Sequence, residues 1–340
     1  MNEFTKNQSS MLKAIAILFM VGLHLYNRVD LTGYYHPYLY IGEQPIIYIV
    51  SFLFDACVPL FLFCAGYAAY VNKNKTFKEN SIRIFKLMIN YWIILIFTLL
   101  LGILFNDEHI PGNFISLLGN LFLYNISYVG AWWFMQTYVI LTLASPIIIK
   151  LIDHINEFII LLMTILVYCL SYYFRIIHPL EISNIIFQLI ANALILCGTS
   201  LLPYVIGMMF RKQSIISFIR KKINTKFNNL YGFTLIFVCI IIHWIIKSLV
   251  IAPFVAVLFV VAYALLNINS FWEKVLLFLS KHSTNIWLLH MQFYMIFMSK
   301  IVFSTNTVIG CYAILLFLCI VCSIFINSIL SKINNKLKIS

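Results

Sequence analysis

Residues 46–71, IIYIVSFLFDACVPLFLFCAGYAAYV, form one long apolar stretch with a single acidic or basic side chain, Asp55. A helix needs about 20 predominantly apolar residues to cross a bilayer. The stretch exceeds that length and therefore predicts a transmembrane helix. A carboxylate inside such a helix is costly and by default marks a functional site.

The rest of the chain has the same membrane character. Of its 340 residues, 63% are hydrophobic and 10% are charged, whereas soluble proteins have about half and about a quarter. The apolar runs predict an all-α fold, a polytopic transmembrane helix bundle of about ten helices. Residues 114–124 are too short to span and predict an interfacial or re-entrant piece. The predicted spans are residues 11–27, 46–71, 87–105, 131–151, 158–177, 185–210, 230–247, 249–266, 284–303 and 308–330.

The positive charges predict the orientation of these helices. If the N-terminus is cytoplasmic, all but four of the 23 Lys and Arg residues fall on the cytoplasmic side. The positive-inside rule therefore places both termini in the cytoplasm. The net charge of +12 is explained by this orientation, and nucleic acid is not expected as a partner. The four exceptions are Arg28, Arg175, Lys247 and Lys300.

No linker, repeat or low-complexity segment divides the chain, so residues 1–340 are interpreted as a single membrane domain. Roughly ten spans leave no space for a soluble catalytic domain. Any chemistry must therefore use side chains inside the bundle or on its short loops. Cys319 and Cys322 form a CxxC pair without neighbouring His or polar flanks, and no metal site is expected there.

Lys13 and His24 are the first candidate pair. They are eleven positions apart on the first helix, a rise of roughly 16 Å and a rotation about 20° beyond three turns. Both side chains therefore lie on one face, where they can contact the two ends of one substrate. The alternative is that Lys13 extends to the lipid headgroups and His24 makes an interhelical hydrogen bond.

Asp55 is the second candidate, because it lies at a depth similar to or somewhat below that of His24. An Asp–His pair would fix the tautomer of the imidazole and raise its basicity, as in hydrolytic triads. The alternative is a protonated Asp55 that donates a hydrogen bond to a backbone carbonyl. His24 and Asp55 are the predicted catalytic pair.

Arg83 and Lys86 stand three apart at the cytoplasmic start of the third span, on one helical face. They suit the phosphates of a cofactor or anionic lipid headgroups equally, and positive-inside anchoring alone also explains them. Trp132, Trp133 and Gln136 open the fourth span. The two indoles are either membrane-interface anchors or, with the amide, a surface for a sugar.

Five segments together resemble the acyltransferase-3 family of integral membrane acyltransferases, which O-acylate sugars and other acceptors at the bacterial envelope. Their order covers residues 12–293, most of the chain. Three departures are visible: Ala65 stands where the family has Ser, Lys86 where it has a second Arg, and both prolines of the third segment are absent. The segments are LKAIAILFMVGLH (12–24), CVPLFLFCAGY (57–67), RIFKLMINYW (83–92), AWWFMQTYVILTLASPI (131–147) and STNIWLLHMQF (283–293).

This resemblance implies transfer of an acyl group, most simply acetyl, from acyl-CoA to a hydroxyl of a cell-surface polysaccharide or a lipid-linked glycan precursor. It implies a multi-pass protein of the bacterial cytoplasmic membrane. His24 and Asp55 would then be catalytic, and Lys13, Arg83 and Lys86 would bind the acyl-CoA. Trp132, Trp133, Gln136 and His290 would bind the acceptor, although an isolated His290 also fits a packing role.

An alternative function is a membrane transporter or exporter of a polar solute or glycan, in which His24, Asp55 and Arg175 line a path. No matching pair of broken helices is evident in the sequence, and the prolines do not define two halves. A passive membrane scaffold is a third interpretation, but it needs no buried charges.

Overall fold

The computed structural model describes residues 3–27, 34–223 and 226–337. Within these ranges the chain is helical apart from one two-stranded antiparallel sheet, which confirms the predicted all-α class. Arg28 and Lys338, which entered the charge count, lie outside the described residues. The described residues fall into two compact units.

The first unit draws on three segments, Met1–Val29, Leu39–Asn74 and Ala144–Lys281. Its strands are β1 (Tyr40–Ile41) and β2 (Gln44–Pro45). Its complete helices are α1 (Lys6–Tyr26), α2 (Ile46–Ser51), α3 (Cys57–Val71), α7 (Glu157–Tyr172), α8 (Ile185–Lys212), α9 (Ile215–Lys222), α10 (Asn228–Ile245) and α11 (Ala252–Leu265).

The second unit draws on Asp30–Tyr38, Lys75–Leu143 and His282–Ser340. The helices α6 (Trp133–His154) and α12 (Ser270–Met291) contribute residues to both units. The complete helices of the second unit are α4 (Phe77–Leu104), α5 (Phe114–Leu121), α13 (Ser299–Val302) and α14 (Val308–Lys336).

Eight helical stretches of the described chain are long and apolar enough to cross a membrane. A shorter apolar stretch, Leu249–Leu265, is separated by three residues from the end of the preceding helix at Ile245. The segment predicted as interfacial forms α5, which is eight residues long. The eight stretches are Lys6–Tyr26, Ile46–Val71, Phe77–Leu104, Gly130–His154, Glu157–Ile177, Ile185–Lys212, Asn228–Ile245 and Val308–Lys336.

The second predicted span is not one continuous α-helix. It is interrupted by the 3₁₀ turn Leu53–Ala56, which contains Asp55. A 3₁₀ segment within a longer helix often marks a functional hinge or a strained sequence. The interruption therefore falls on the acidic residue that the sequence singled out.

The predicted span 284–303 differs most from the structure. Its helix, α12, begins at Ser270 and ends at Met291, and a π-helical segment follows at Gln292–Phe297. Charged residues such as Glu273 and Lys274 conceal the first turns of α12 from a pattern of apolar residues. Backbone hydrogen bonds continue through such residues regardless of their charge.

Small residues allow close helix packing in the first unit. A Cβ atom added at Gly66 of α3 would collide with the carbonyl of Tyr204, and one added at Gly207 of α8 with the carbonyl of Phe63. Glycines at such positions let helix backbones approach each other in a membrane, where packing replaces hydrophobic burial as the main attraction between helices. This contact holds α3, and with it the 3₁₀ turn before it, against α8.

Candidate active site

His24 lies in the last turn of α1, in the first unit. The helix is closed at its start by a capping box in which the Thr5 side chain accepts from the Gln8 amide and the Gln8 side chain accepts from the Thr5 amide. The cap begins α1 at Lys6, five residues before the predicted start. His24 is half-buried in the final turn, and Lys13 is half-buried near the middle of the same helix.

The 3₁₀ turn that carries Asp55 packs against the same end of α1. The ring of Phe54 lies against Gly22, where a Cβ atom would be 2.6 Å from the Phe54 ring. Phe54 also contacts Phe19, with ring centroids 5.0 Å apart. These contacts bring the turn to α1 two residues before His24, so the two predicted catalytic residues share one region of the first unit.

Asp55 has a partner that the sequence analysis did not name. Its Oδ2 lies 3.4 Å from Nε2 of His243, which is fully buried near the end of α10, while the Asp55 side chain is 9% exposed. The two atoms are close enough for an ion pair but are not aligned as a hydrogen bond. As carboxylate with imidazolium, or as acid with neutral imidazole, the pair has no net charge, which lowers the cost of its burial.

Phe52 lies beside His243 of this pair, and Lys247 lies beside Phe52. The Phe52 ring centroid is 6.2 Å from that of His243, and the ammonium of Lys247 lies 5.9 Å from the centroid of Phe52. A cation this close to an aromatic face is attracted by the ring quadrupole. The first unit thus holds acidic, basic and aromatic groups together beside an apolar interior.

The predicted phosphate-binding residues Arg83 and Lys86 lie in α4 of the second unit, and both are half-buried. Nη2 of Arg83 donates to the hydroxyl of Tyr138 at 2.7 Å. The guanidinium also lies 5.9 Å from the Tyr138 ring centroid. Tyr138 therefore orients Arg83 and leaves its remaining N–H groups, as many as four, to other acceptors.

Trp132 is fully buried, unlike Trp133 and Gln136, which are half-buried. Its indole N–H donates to the carbonyl of Leu288 at 2.9 Å, and its ring meets Tyr91 edge to face at 5.0 Å. A sugar stacks only on a ring face that is open to it, so this packing does not favour the acceptor role of Trp132, which stays a prediction.

His290 is fully buried in the second unit, near the end of α12. Its Nδ1 lies 2.7 Å from the carbonyl of Trp287, so Nδ1 carries a proton and donates. The ring is stacked with Tyr294, with centroids 6.4 Å apart. These contacts suit a packing histidine, and its role in acceptor binding stays a prediction.

Comparison with known families identifies the class of protein to which this chain belongs. The family model described as an acyltransferase domain, that of the acyltransferase-3 family, matches residues 8–328, nearly the whole chain. The chain belongs to the acyltransferase-3 family. Comparisons with curated proteins and with solved structures gave no match. Family and apolar helices together identify a membrane acyltransferase.

His243 is the ionisable neighbour of Asp55 that the sequence analysis of this acyltransferase-3 protein missed. The signal was present, since an imidazole interrupts the apolar run IFVCIIIHWI near the end of α10. An ionisable group at such a position suggests function by the same argument that selected Asp55. Among the described residues, no group of three or more His, Cys, Asp or Glu side chains could hold a metal ion.

Proposed function

We propose that this acyltransferase moves an acyl group, most simply acetyl, from acyl-CoA to a hydroxyl of a cell-surface polysaccharide or a lipid-linked glycan precursor. The observation that carries this proposal is the placement of Asp55. The carboxylate lies in a break of a transmembrane helix, paired with His243 and packed beside the end of α1 that carries His24. Ionisable groups within a membrane are costly and are retained for function.

In the proposed reaction, His24 takes the proton of the acceptor hydroxyl as its oxygen attacks the thioester carbonyl. The new ester bond forms, the carbon–sulfur bond breaks, and the proton passes to the departing thiolate of coenzyme A. General-base catalysis of this kind contributes about 10²- to 10⁴-fold to a rate. Asp55 and His243 support this step by holding negative charge and an exchangeable proton in the same region.

The donor is assigned to Lys13, Arg83 and Lys86. Phosphate oxygens of acyl-CoA suit both residue types, but a guanidinium offers a bidentate grip that an ammonium does not. The orientation of Arg83 by Tyr138 supports this assignment, because a fixed guanidinium loses less freedom when it binds. Among the predicted acceptor contacts in the fourth span, Trp133 and Gln136 are better placed than Trp132 to contact the acceptor, because they are half-buried and Trp132 is fully buried.

We also propose the membrane arrangement that the charges predict. All ten predicted spans cross the bacterial cytoplasmic membrane, and both termini lie in the cytoplasm. The two crossings beyond the eight long stretches would be Leu249–Leu265 and the region of α12 with its π-helical extension. Labelling of single cysteines introduced at Lys6 and Glu181 in intact cells tests this topology, and labelling of position 6 from outside would contradict it.

The central experiment is His24→Ala in the full chain in membranes, with acetyl-CoA as donor and surface polysaccharide as acceptor. Removal of the base should lower acyl transfer by about 10²- to 10⁴-fold. His154→Ala is the matched control, because His154 is exposed and its Nδ1 lies 2.8 Å from the carbonyl of Lys150 in its own helix. Full activity of His24→Ala at normal protein level would remove the proposed base.

The acceptor is identified by comparing surface polysaccharide from a deletion strain and its complemented parent by mass spectrometry and NMR. An added acyl mass on a hydroxyl in the parent alone would support the proposal. Transport of unmodified glycan into vesicles, without acyl transfer by the purified protein, would instead support the transporter.

A further inference from the structure

A cavity of about 580 Å³ lies in the second unit, at the C-terminal end of α4. Two loops and one helical face form its walls, and all of its lining residues belong to the second unit. Its volume falls in the range of small-molecule sites, about 300–1,000 Å³. The lining residues are Phe105–Ile110, Ser127–Gly130, Met291, Met295 and Ile296.

Internal contacts fix the loop that forms one wall of the cavity. Oδ1 of Asp107 accepts from the backbone N–H groups of His109 and Ile110 at 2.8 and 3.0 Å. The Tyr128 hydroxyl donates to the carbonyl of Pro111, and burial raises the pKa of this phenol, so it remains a donor at neutral pH. Gly102 admits Ile110 so closely that a Cβ atom would collide with it. The cavity is therefore preformed.

The charges of the cavity differ in sign from those of the chain. Asp107 and Glu108 line it, and among its described lining residues there is no Lys or Arg, although the chain has a net charge of +12. Two carboxylates repel an anionic ligand, and unbalanced like charges are a common means of rejecting a wrong partner. Carboxylate oxygens also accept hydrogen bonds from sugar hydroxyls.

The cavity also lies far along α4 from Arg83 and Lys86. Phe105 follows Arg83 by 22 positions, a rise of roughly 33 Å, close to the thickness of a bilayer core, about 30 Å. A donor whose phosphates lie at Arg83 therefore cannot place those phosphates in the cavity. The cavity is left for the other substrate.

We propose that this cavity binds the acceptor, and that it selects a glycan segment of neutral or amino sugars over one that carries carboxylate or phosphate groups. This inference rests on the proposed acyl transfer and deepens it by naming the acceptor class. Glu108, Asp107 and Asn106 supply polar contacts to hydroxyls, while Phe105 and Met295 offer apolar contact to the ring faces. Sites of this mixed kind are usual for small ligands.

The test uses three oligosaccharides of equal length, made of glucose, glucosamine or glucuronate units, with the full chain in proteoliposomes and acetyl-CoA as donor. We expect kcat/KM for the glucose and glucosamine oligomers to exceed that for the glucuronate oligomer by about tenfold at low salt. The ratio of the kcat/KM values should fall towards one as the ionic strength rises, because the Debye screening length shortens to about 10 Å at 0.1 M.

Glu108 is the residue to change, because it is exposed. Asp107 is less suitable, because it accepts the backbone hydrogen bonds that fix the loop. Glu108→Lys should bring the glucose-to-glucuronate ratio close to one, and Glu108→Gln should bring it part of the way. Glu181→Lys is the matched control: Glu181 is equally exposed, lies in the first unit, and does not line the cavity. It makes the same change in net charge and should leave the ratio unchanged.

Binding of the labelled oligosaccharides to purified protein separates this inference from the proposed function. If the protein binds the glucose oligomer more tightly than the glucuronate oligomer, and this preference depends on Glu108, the inference stands even without acyl transfer. The absence of acyl transfer would then remove the mechanism proposed for these acceptors. Equal binding of the glucose and glucuronate oligomers, no binding of any of them, or an equal response of Glu108→Lys and Glu181→Lys would overturn the inference.

Discussion

The two units bury polar side chains in different ways. In the first unit, the ionisable Asp55 and His243 lie 3.4 Å apart without hydrogen-bond alignment. In the second unit, amides and hydroxyls of α4, α12 and α14 form a chain of hydrogen bonds. Asn285 accepts from Asn90 at 2.7 Å and donates to Ser323 and Asn327 at 2.9 Å each, and Ser323 lies 2.8 Å from Nδ1 of His282.

We interpret the difference as one between a structural network and the proposed reactive site. The Ser323 hydroxyl accepts from Asn285 and also pairs with Nδ1 of His282, where the tautomer of the imidazole decides which atom donates. Satisfied neutral networks fix the packing of helices. A carboxylate and an imidazole in loose contact keep the capacity to take and release protons, which is what an acyl transfer needs.

Among the substitutions that test this comparison, Asp55→Asn has the largest expected effect, and it tests the reactive side. Loss of the carboxylate removes the charge that supports proton transfer, and we expect kcat for acyl transfer to fall about a hundredfold. The dependence of kcat on pH should also change, and Asp55→Glu should restore part of the activity. Measurements on membranes matched for protein level give both quantities.

Asp153→Asn is the control for that substitution, because Asp153 contacts Tyr70 and Lys73 in a more exposed position. In a double-mutant cycle with His243→Gln, the two losses should not add, since the residues act as a pair. Additive losses, or a wild-type pH profile for Asp55→Asn, would break the comparison.

Asn285→Leu tests the structural side. The change leaves the polar groups of Asn90, Ser323 and Asn327 without their common partner, and we expect a loss of about 2 kcal/mol in stability. Thermal unfolding in detergent should show a lower midpoint, while acyl transfer per folded molecule stays near that of the wild type. A catalytic loss at unchanged stability would place Asn285 with the reactive groups instead.

Arg83→Ala sharpens the comparison, because Arg83 is a charged residue of the second unit whose hydrogen-bond partner, Tyr138, is neutral. If its guanidinium binds donor phosphates, the KM for acyl-CoA should rise about tenfold, the loss of one charge-assisted contact. The KM for the acceptor should change little. An unchanged requirement for acyl-CoA would identify Arg83 as an anchor at the lipid headgroups.

The smallest expected effect is that of Tyr138→Phe. The variant keeps the ring beside Arg83 but removes the hydroxyl that accepts its N–H. A single hydrogen bond of this kind contributes about 1 kcal/mol, so we expect the KM for acyl-CoA to rise by about fivefold or less. An effect larger than that of Arg83→Ala would show that Tyr138 itself contacts the substrate.

The sequence alone predicted most of the fold, because each apolar run has the length that a bilayer demands. It also predicted that Asp55 lies near the depth of His24, and the packing of Phe54 on Gly22 agrees with this. The early start of α12 escaped the prediction because charged residues mask its first turns. The break at Leu53–Ala56 also escaped the prediction, because the apolar run continues on both sides of Asp55.

The composition of the site was harder to predict than the fold. Asp55 and His243 are distant in sequence, and only the packing of α10 beside the 3₁₀ turn brings them together. Burial was also not predictable at Trp132, because an indole at the start of a span is compatible with an interface anchor or a sugar contact. The structure shows its ring enclosed and its N–H engaged.

The indole of Trp132 belongs to a reciprocal pair, since Trp287 donates its own indole N–H to the carbonyl of Ala131 at 3.0 Å. The two hydrogen bonds cross the contact between α12 and the Gly130–Trp132 turn in opposite directions. Sliding of α12 along the Gly130–Trp132 turn that precedes α6 would stretch both bonds at once. The two hydrogen bonds therefore fix the register of α12 against the turn that precedes α6.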